Sequence, residues 1–170
     1  MARKMVTKKI VVDDSLINAN DAQDVIEPLW WSVSIYDGEE QYENDLMPFT
    51  MPQRYVFAMQ WYEVEICNGG HVQFYSNSTG IVWEDAMKGF MAIGANKNVD
   101  IIKESAIRMG GSPSKDRKER EKQIDNLHPE FDDLDDLFYA NKSERMELLH
   151  IYIKTNAKDF YFSGNVIMPE

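Results

Sequence analysis

Thr50-Met51-Pro52-Gln53-Arg54-Tyr55-Val56-Phe57-Ala58-Met59-Gln60-Trp61-Tyr62-Glu63-Val64-Glu65-Ile66-Cys67-Asn68-Gly69-Gly70 is the stretch whose reading decides the fold. Its first four residues spell a capping box with a proline inside it. The Thr50 hydroxyl can accept from the third helical amide, the Gln53 amide can reach back, and Pro52 falls where a missing N–H costs nothing. The helix predicted from there, over about 53–67, is apolar on nearly every side through Tyr55, Val56, Phe57, Met59, Trp61, Tyr62, Val64 and Ile66. A helix apolar all round has to be surrounded by other elements, so it belongs at the centre of the molecule. Asn68-Gly69-Gly70 ends it, because both residue types tolerate left-handed backbone.

Helical spacing continues in both directions. Upstream, Val25, Ile26, Leu29, Trp30 and Val33 recur at three and four residues between Asp21 and Tyr36. Pro28 either kinks that helix or opens a second one. Downstream, His71–Tyr75 is a short element before the turn Ser76-Asn77-Ser78-Thr79-Gly80. Trp83, Met87, Phe90 and Met91 mark a helix ending at Gly94, and Val99, Ile102, Ala106 and Met109 another ending at Gly110-Gly111. Ser112-Pro113 opens a charged helix to about 125, and His128-Pro129 a helix with Phe131, Leu134, Leu137 and Phe138 on one face. Ser143 caps a last helix with the stripe Met146, Leu149, Tyr152 and Ile153. Alternating strand patterns are almost absent. The expected fold is all-α: a single-domain bundle of about seven to nine helices over 13–170, preceded by a mobile or extended arm at 1–12.

Charge is distributed unevenly. The 170 residues carry a net charge of −11. Between Ile10 and Gln53 there are ten acids (Asp13, Asp14, Asp21, Asp24, Glu27, Asp37, Glu39, Glu40, Glu43 and Asp45) and no Lys or Arg. Such a run projects a negative field that repels nucleic acid and anionic membranes and is answered by cationic partners. A basic, DNA-binding protein is the natural counterpart, with no direct contact to nucleic acid or membrane. Cys67 is the only cysteine, so no intrachain disulfide can form, and no apolar run approaches the roughly 20 residues of a membrane span. A cytoplasmic protein is expected.

A second acidic segment is Phe131-Asp132-Asp133-Leu134-Asp135-Asp136-Leu137-Phe138. If the apolar residues claim one face, Asp132, Asp133, Asp135 and Asp136 share the other. Four charges over about 7.5 Å of helix come to about one per 2 Å, close to the one per roughly 1.7 Å of duplex DNA. The plainer reading is a solvated amphipathic helix with acids near its favourable N-terminal dipole.

The stretch Trp61-Tyr62-Glu63-Val64-Glu65-Ile66-Cys67-Asn68-Gly69-Gly70-His71-Val72-Gln73-Phe74-Tyr75-Ser76-Asn77-Ser78-Thr79-Gly80 resembles the signature of the bacterial family named after the DNA-mimic protein nineteen. That signature is a helix ending Glu-x-x-Asn-Gly-Gly, then Gln-Phe-Phe/Tyr-x-Asn, then a Gly before the next helix. Glu65, Asn68, Gly69, Gly70, Gln73, Phe74, Tyr75, Asn77 and Gly80 stand in those places. Phe131–Tyr139, Tyr152 and Phe160 resemble the family's C-terminal pattern, so the likeness covers about 46–162. The resemblance implies an all-helical, often dimeric protein whose namesake activity is to pose as duplex DNA. The signature residues themselves read as structural. Mimicry would rest on surface carboxylates, Asp132, Asp133, Asp135 and Asp136 with Asp37, Glu39, Glu40, Glu43 and Asp45 in support, and the bases Lys115, Arg117, Lys118, Arg120 and Lys122 would interrupt a negative face that contained them.

Cys67 and His71 are four apart, but Gly69-Gly70 breaks the helix between them and no orienting group is evident, so a buried structural cysteine is expected. Glu63, Glu65 and His71 could ligate a metal, yet residues two apart on a helix diverge, and Glu65 is expected to brace the turn. Gly69-Gly70 lacks the Lys-Ser/Thr of a phosphate loop. His128 and His150 read as cap or surface residues. Trp30 and Trp31 are adjacent and on a helix cannot both face inward; one exposed indole would suit a dimer contact, and a wide buried face is the equal alternative. The helix from Lys115 to Lys122 reads as a solvated, salt-bridged surface. The expectation is a non-enzymatic interaction protein without metal or cofactor. The alternative is a small-ligand protein or enzyme built on the Glu65–Asn77 turn.

Overall fold

The computed structural model describes residues 4–19 and 21–170. Its elements follow in the order β1 (Met5–Val12), α1 (Asp14–Asn18), α2 (Ala22–Val25), α3 (Glu27–Ser32), α4 (Glu39–Leu46), α5 (Met51–Ser76), a 3-10 turn (Ser78–Val82), α6 (Trp83–Ile93), α7 (Asn96–Arg108), α8 (Arg117–Leu127), α9 (Asp132–Ala140), α10 (Lys142–Thr155), α11 (Ala157–Phe160) and β2 (Phe162–Pro169). The protein is mainly all-α, as its periodicity predicts. The described residues hold more helices than expected because α1, α2, α3 and α11 are of six residues or fewer.

α5 is the axis. Thr50 Oγ1 accepts from the Gln53 amide at 3.3 Å and Gln53 Oε1 from the Thr50 amide at 2.9 Å, completing the capping box. Val56, Phe57, Ala58, Met59, Tyr62 and Ile66 are buried, and α6 lies close enough that a Cβ on Gly89 would come 2.9 Å from Met59 Cγ. Phe74, Phe90 and Phe138 stand edge-on around Tyr62, with centroids 4.8, 5.6 and 5.3 Å away. Each buried ring of this kind contributes roughly 1.5–3 kcal/mol through the apolar area it removes from water.

The main departure is a two-stranded antiparallel ribbon, β1 with β2, running in register from Met5↔Pro169 to Val12↔Phe162. Ile10, Val12 and Val166 turn into the core. The described part of the predicted arm is therefore a paired strand, and the chain ends in a strand rather than a helix. Residues 1–3 lie outside the described residues.

Several boundaries move for identifiable reasons. Pro28 occupies the first turn of α3, so the segment from 21 to 36 is two short helices. Gly38, at φ 90°, allows the chain to enter α4, an element the periodicity did not announce. α8 starts at Arg117, where Asp116 caps it by accepting from the Glu119 amide at 2.9 Å, and the Pro113 carbonyl lies before it, accepting from the Trp83 indole N–H at 3.0 Å. His128 is the left-handed C-cap of α8 (φ 47°) rather than the opening of α9. α10 begins at Lys142, one residue before Ser143.

Candidate functional site

Two regions were expected to matter, the Glu65–Asn77 turn and the acidic segments. The structure joins them at one residue.

At the turn, α5 does not stop; it bends. Gly69 (φ −165°, ψ 20°) and Gly70 (φ 72°, ψ −173°) break the helical dihedrals, and helix resumes as far as Ser76. Gly70 sits in a region of backbone space that essentially only glycine enters. It also has no room for a side chain, since a Cβ there would lie 2.1 Å from Asp135 Oδ2, while one on Gly69 would lie 2.2 Å from Gln73 Oε1. Glu65, buried, braces the bend by accepting from Gln73 Nε2 at 2.8 Å and Asn77 Nδ2 at 3.0 Å. Phe74 and Tyr75 are core residues, and the Tyr75 hydroxyl, pushed up by burial and so still a donor, meets Ser105 Oγ at 2.7 Å. Gly80 admits Arg120, whose Nε would otherwise be 2.3 Å from a Cβ. Asn68 and Gly69 are the exposed signature residues, and Asn68 makes no side-chain hydrogen bond to the described residues.

His71, just after the bend, is fully buried. Its backbone N–H donates to Asp135 Oδ1 at 3.0 Å, its Nδ1 meets the same carboxylate, and its Nε2 meets the Tyr62 hydroxyl. An ionised carboxylate can only accept, so Nδ1–H donates to Asp135, and burial, which holds the Tyr62 hydroxyl well above its usual range, keeps the phenol proton on the oxygen that faces Nε2. An Asp–His–hydroxyl line is chemically the arrangement of an activated nucleophile, but both Tyr62 and His71 are sealed in the core. Here the line locks α9 onto the bend of α5.

Asp135 is therefore not the free carboxylate expected of it. The buried face of α9 is Phe131, Leu134 and Phe138 with Asp135 half-buried among them, and Leu137 is exposed. Asp133 is exposed but clamped by Arg108, Nη1 to Oδ1 at 2.6 Å and Nη2 to Oδ2 at 2.8 Å, which holds its carboxyl below the usual range. Asp132 and Asp136 are exposed and form no ion pair among the described residues.

The acids around α4 are likewise partly engaged. Glu43 is held in a fork by Arg54, at 2.7 and 2.6 Å, and this pairing lowers its pKa. Arg54 also donates to Asp85 Oδ2 at 2.8 Å, and Tyr42 donates to the same oxygen at 2.8 Å. Burial opposes the Arg54 charge, yet Glu43 and Asp85 together raise its pKa. Lys115 reaches Glu39 at 3.0 Å, Asp37 accepts from Ser34 Oγ at 2.6 Å, and Asp45 accepts from the Ser34 amide at 2.9 Å and Gln41 Nε2 at 2.6 Å. Glu40 is exposed and forms no ion pair among the described residues.

Two further expectations change, and the reading of the adjacent tryptophans holds. Arg120 is fully buried rather than a surface charge. It donates to the carbonyls of Tyr75 (2.7 Å), Asn77 (2.6 Å), Ser114 (2.6 Å) and Lys115 (3.3 Å), and burial pushes its pKa down to about 10, so it remains charged near neutrality. Cys67 is exposed rather than buried, and burial of part of its thiol together with Glu63 raises its pKa. Trp30 packs on Trp61 with centroids 4.4 Å apart, while Trp31 is 39% exposed. Among the described residues no group of three or more His, Cys, Asp or Glu could hold a metal ion, and no helix is long and apolar enough to cross a membrane.

The comparisons with curated proteins and with solved structures gave no match. The comparison with protein families did: the model of the DMP19-like protein family matches residues 48–156, from just before α5 through the bend, Arg120 and α9 to the end of α10. That match spans well over half of the chain and contains every residue of the locked bend, and on it this chain belongs to the DMP19-like protein family.

Proposed function

We propose that the protein is a non-enzymatic cytoplasmic interaction protein that occupies the basic surface of a DNA-binding protein by presenting carboxylates in place of phosphates. The observation that carries this reading is the pair Asp132 and Asp136 on α9, exposed and without a cation of its own among the described residues, inside the segment matched by the DMP19-like family. Four helical residues rise about 6 Å, near the roughly 6.8 Å that two phosphate steps of one strand cover along duplex DNA. Glu40 and Asp37 add exposed charge from the α4 region, and the net charge of −11 supplies the long-range field. Asp133 and Asp135 play another part in this reading: they hold α9 in place. The family resemblance extends the reading to a homodimer, which sedimentation of the purified protein checks.

A ligand site at the Glu65–Asn77 turn has less support. The cavity there is about 130 Å³, against the roughly 300–1,000 Å³ usual for small-molecule sites, and Glu65 is already committed to Gln73 and Asn77.

The test is affinity capture from the source cytosol at low and high salt, with duplex DNA as competitor. The variant is Asp132→Asn with Asp136→Asn. An equal charge removal on α2 and α10, Asp24→Asn with Glu147→Gln, is the control. A DNA-binding protein retained at low salt, released by salt or duplex, lost with the α9 variant and kept with the control is the expected result. Equal capture by both variants would sink the assignment to α9, and capture indifferent to salt and DNA would sink mimicry itself, since several ion pairs formed together must weaken steeply with ionic strength.

A further inference from the structure

β1 and β2 form a ribbon of only two strands, and such a pair is marginally stable on its own. One contact fixes its hydrogen-bond phase. The Glu170 amide donates to the Lys4 carbonyl at 2.9 Å, so in the register from Met5↔Pro169 to Val12↔Phe162 the β1 residues that bond across the ribbon are Val6, Lys8, Ile10 and Val12. The N–H and C=O groups of Met5, Thr7, Lys9 and Val11 therefore point away from β2, and nothing among the described residues bonds to them. All four residues are exposed. The far edge of β2 is less available, because Pro169 has no N–H and α3 packs against that strand. An open edge of this length is a template for another strand.

Charge says which strand fits. β1 is preceded by Lys4 and followed by Asp13 and Asp14, all exposed. Lys4 meets Glu170 at the surface, Asp13 caps α1, and Asp14 accepts from the Tyr161 hydroxyl at 2.6 Å. An antiparallel copy of the same segment sets the basic end of each strand against the acidic end of the other, twice. A parallel copy would set like against like. Pairing Met5 with Val11 of the second copy, and Thr7 with its Lys9, satisfies every outward group of both strands and joins apolar to apolar at each end. That makes eight new hydrogen bonds from the four outward residues of each copy, near the roughly ten of a usual protein–protein interface. Lys8 then faces its own counterpart at the two-fold axis, where each lysine already lies 3.6 Å from Glu27, so two anions balance two cations. Lysines on an edge discourage strands that bring no such balance.

We propose that β1 pairs antiparallel with β1 of a second copy across a two-fold axis at Lys8, so that two ribbons become one four-stranded sheet. The inference rests on the homodimer of the preceding reading, to which it gives a surface, and is independent of the acids on α9.

The test compares sedimentation of the wild type and Thr7→Pro over a range of concentrations. Thr7→Pro removes an outward N–H and leaves the hydrogen bonds within the ribbon in place. It is expected to raise the dimer dissociation constant at least about tenfold, because the symmetric interface loses two hydrogen bonds and takes in two rings. Thr7→Val, equally β-branched, is expected to stay within about twofold of the wild type. Disulfide cross-linking in a Cys67→Ser background reads the register and stands even if proline disturbs the ribbon. Lys8→Cys is expected to cross-link two copies, since residues directly opposite in a non-hydrogen-bonded pair have Cβ atoms about 4.5–5.5 Å apart. Met5→Cys is expected not to, since its two copies would be offset by about six residues, or about 20 Å. A wild-type dimer that survives Thr7→Pro unchanged, or that cross-links through Met5→Cys and not through Lys8→Cys, would overturn this interface and leave the homodimer standing. A wild type that stays monomeric at every concentration would overturn both, and would leave the edge to a strand of another protein.

Discussion

The inward and outward faces of α8, α9 and α10 carry the same kinds of charged residue and use them in opposite ways. Inward, each helix sends one ionisable side chain to the central helix. Arg120 of α8 collects the carbonyls of Tyr75 and Asn77, Asp135 of α9 takes the amide and imidazole of His71, and Arg145 of α10 takes Glu63. Outward, Asp132, Asp136, Lys118 and Glu147 meet water. Buried charges of this kind are costly unless they are paired and hydrogen-bonded, and removing one partner leaves the other stranded. An inward charge is therefore a fold determinant, and an outward one is free to be a recognition element. Counting acids in a sequence does not separate the two.

The contrast is broken most severely at Arg120. Arg120→Ala leaves four carbonyls short of a donor and opens a cavity beside Gly80, at a cost of about 4 kcal/mol. For a chain of this length that is on the order of 10 °C in Tm by calorimetry. A loss below about 1 kcal/mol would mean that Arg120 is in practice solvated.

The neighbouring pair Asp135 and Asp136 sharpens the contrast within one turn of one helix. Asp135→Ala strands the His71 amide and Nδ1–H and is expected to cost about 3 kcal/mol, whereas Asp136→Ala should stay within about 0.5 kcal/mol. Chemical denaturation of the two variants side by side decides it. Equal losses would remove the distinction between inward and outward acids on which the reduced α9 surface depends.

Gly70→Ala attacks the same lock from the other side. Placing a Cβ at φ 72°, ψ −173° costs roughly 1–3 kcal/mol in backbone strain, and the Cβ also displaces the Asp135 carboxylate. Because the two sites share that contact, Gly70→Ala combined with Asp135→Ala should cost less than the sum of the single changes, by about 1 kcal/mol in a double-mutant cycle. Strict additivity would show that the bend and α9 are not coupled.

These inward charges explain how far the sequence could be read. The central helix, its capping box and the all-helical class follow from local chemistry, namely Thr50-x-x-Gln53, an unbroken apolar run and Gly69-Gly70. The signature residues were recognisable as structural because glycines and aromatics are what a close-packed bend requires. What stayed hidden depended on distant partners. The ribbon pairs Val12 with Phe162, 150 residues apart in sequence, so neither strand's short alternation meant much alone. Arg120 and Asp135 read as surface charges from their type and Arg145 drew no reading at all, although their positions were telling. Asp135 is four residues after Phe131 and three before Phe138, at the middle of the apolar stripe, and Arg145 precedes Leu149 and Ile153 at four-residue steps. A charged residue in register with a helix's buried stripe is the available signal of an inward charge.

The mildest break concerns α4, where the acids meet cations near the surface rather than in the core. The Arg54 fork lowers the Glu43 carboxyl below its ordinary value near 4.5. A carboxylate depressed on folding contributes stability that is fully present above its unfolded value and is lost as pH falls through its folded value. Glu43 is 41% exposed at its side chain, so solvent screens the pair and Glu43→Gln should cost only about 0.5–1 kcal/mol near neutral pH. That gap between wild type and variant should persist down to about pH 4.5 and close below it, as the wild-type carboxyl protonates and the pair is lost in both proteins. Denaturation curves of both proteins at stepped pH read the gap directly. A gap that survived to pH 3 would mean that Glu43 acts by packing against Arg54 and not by its charge, and the α4 acids would then belong with the inward group.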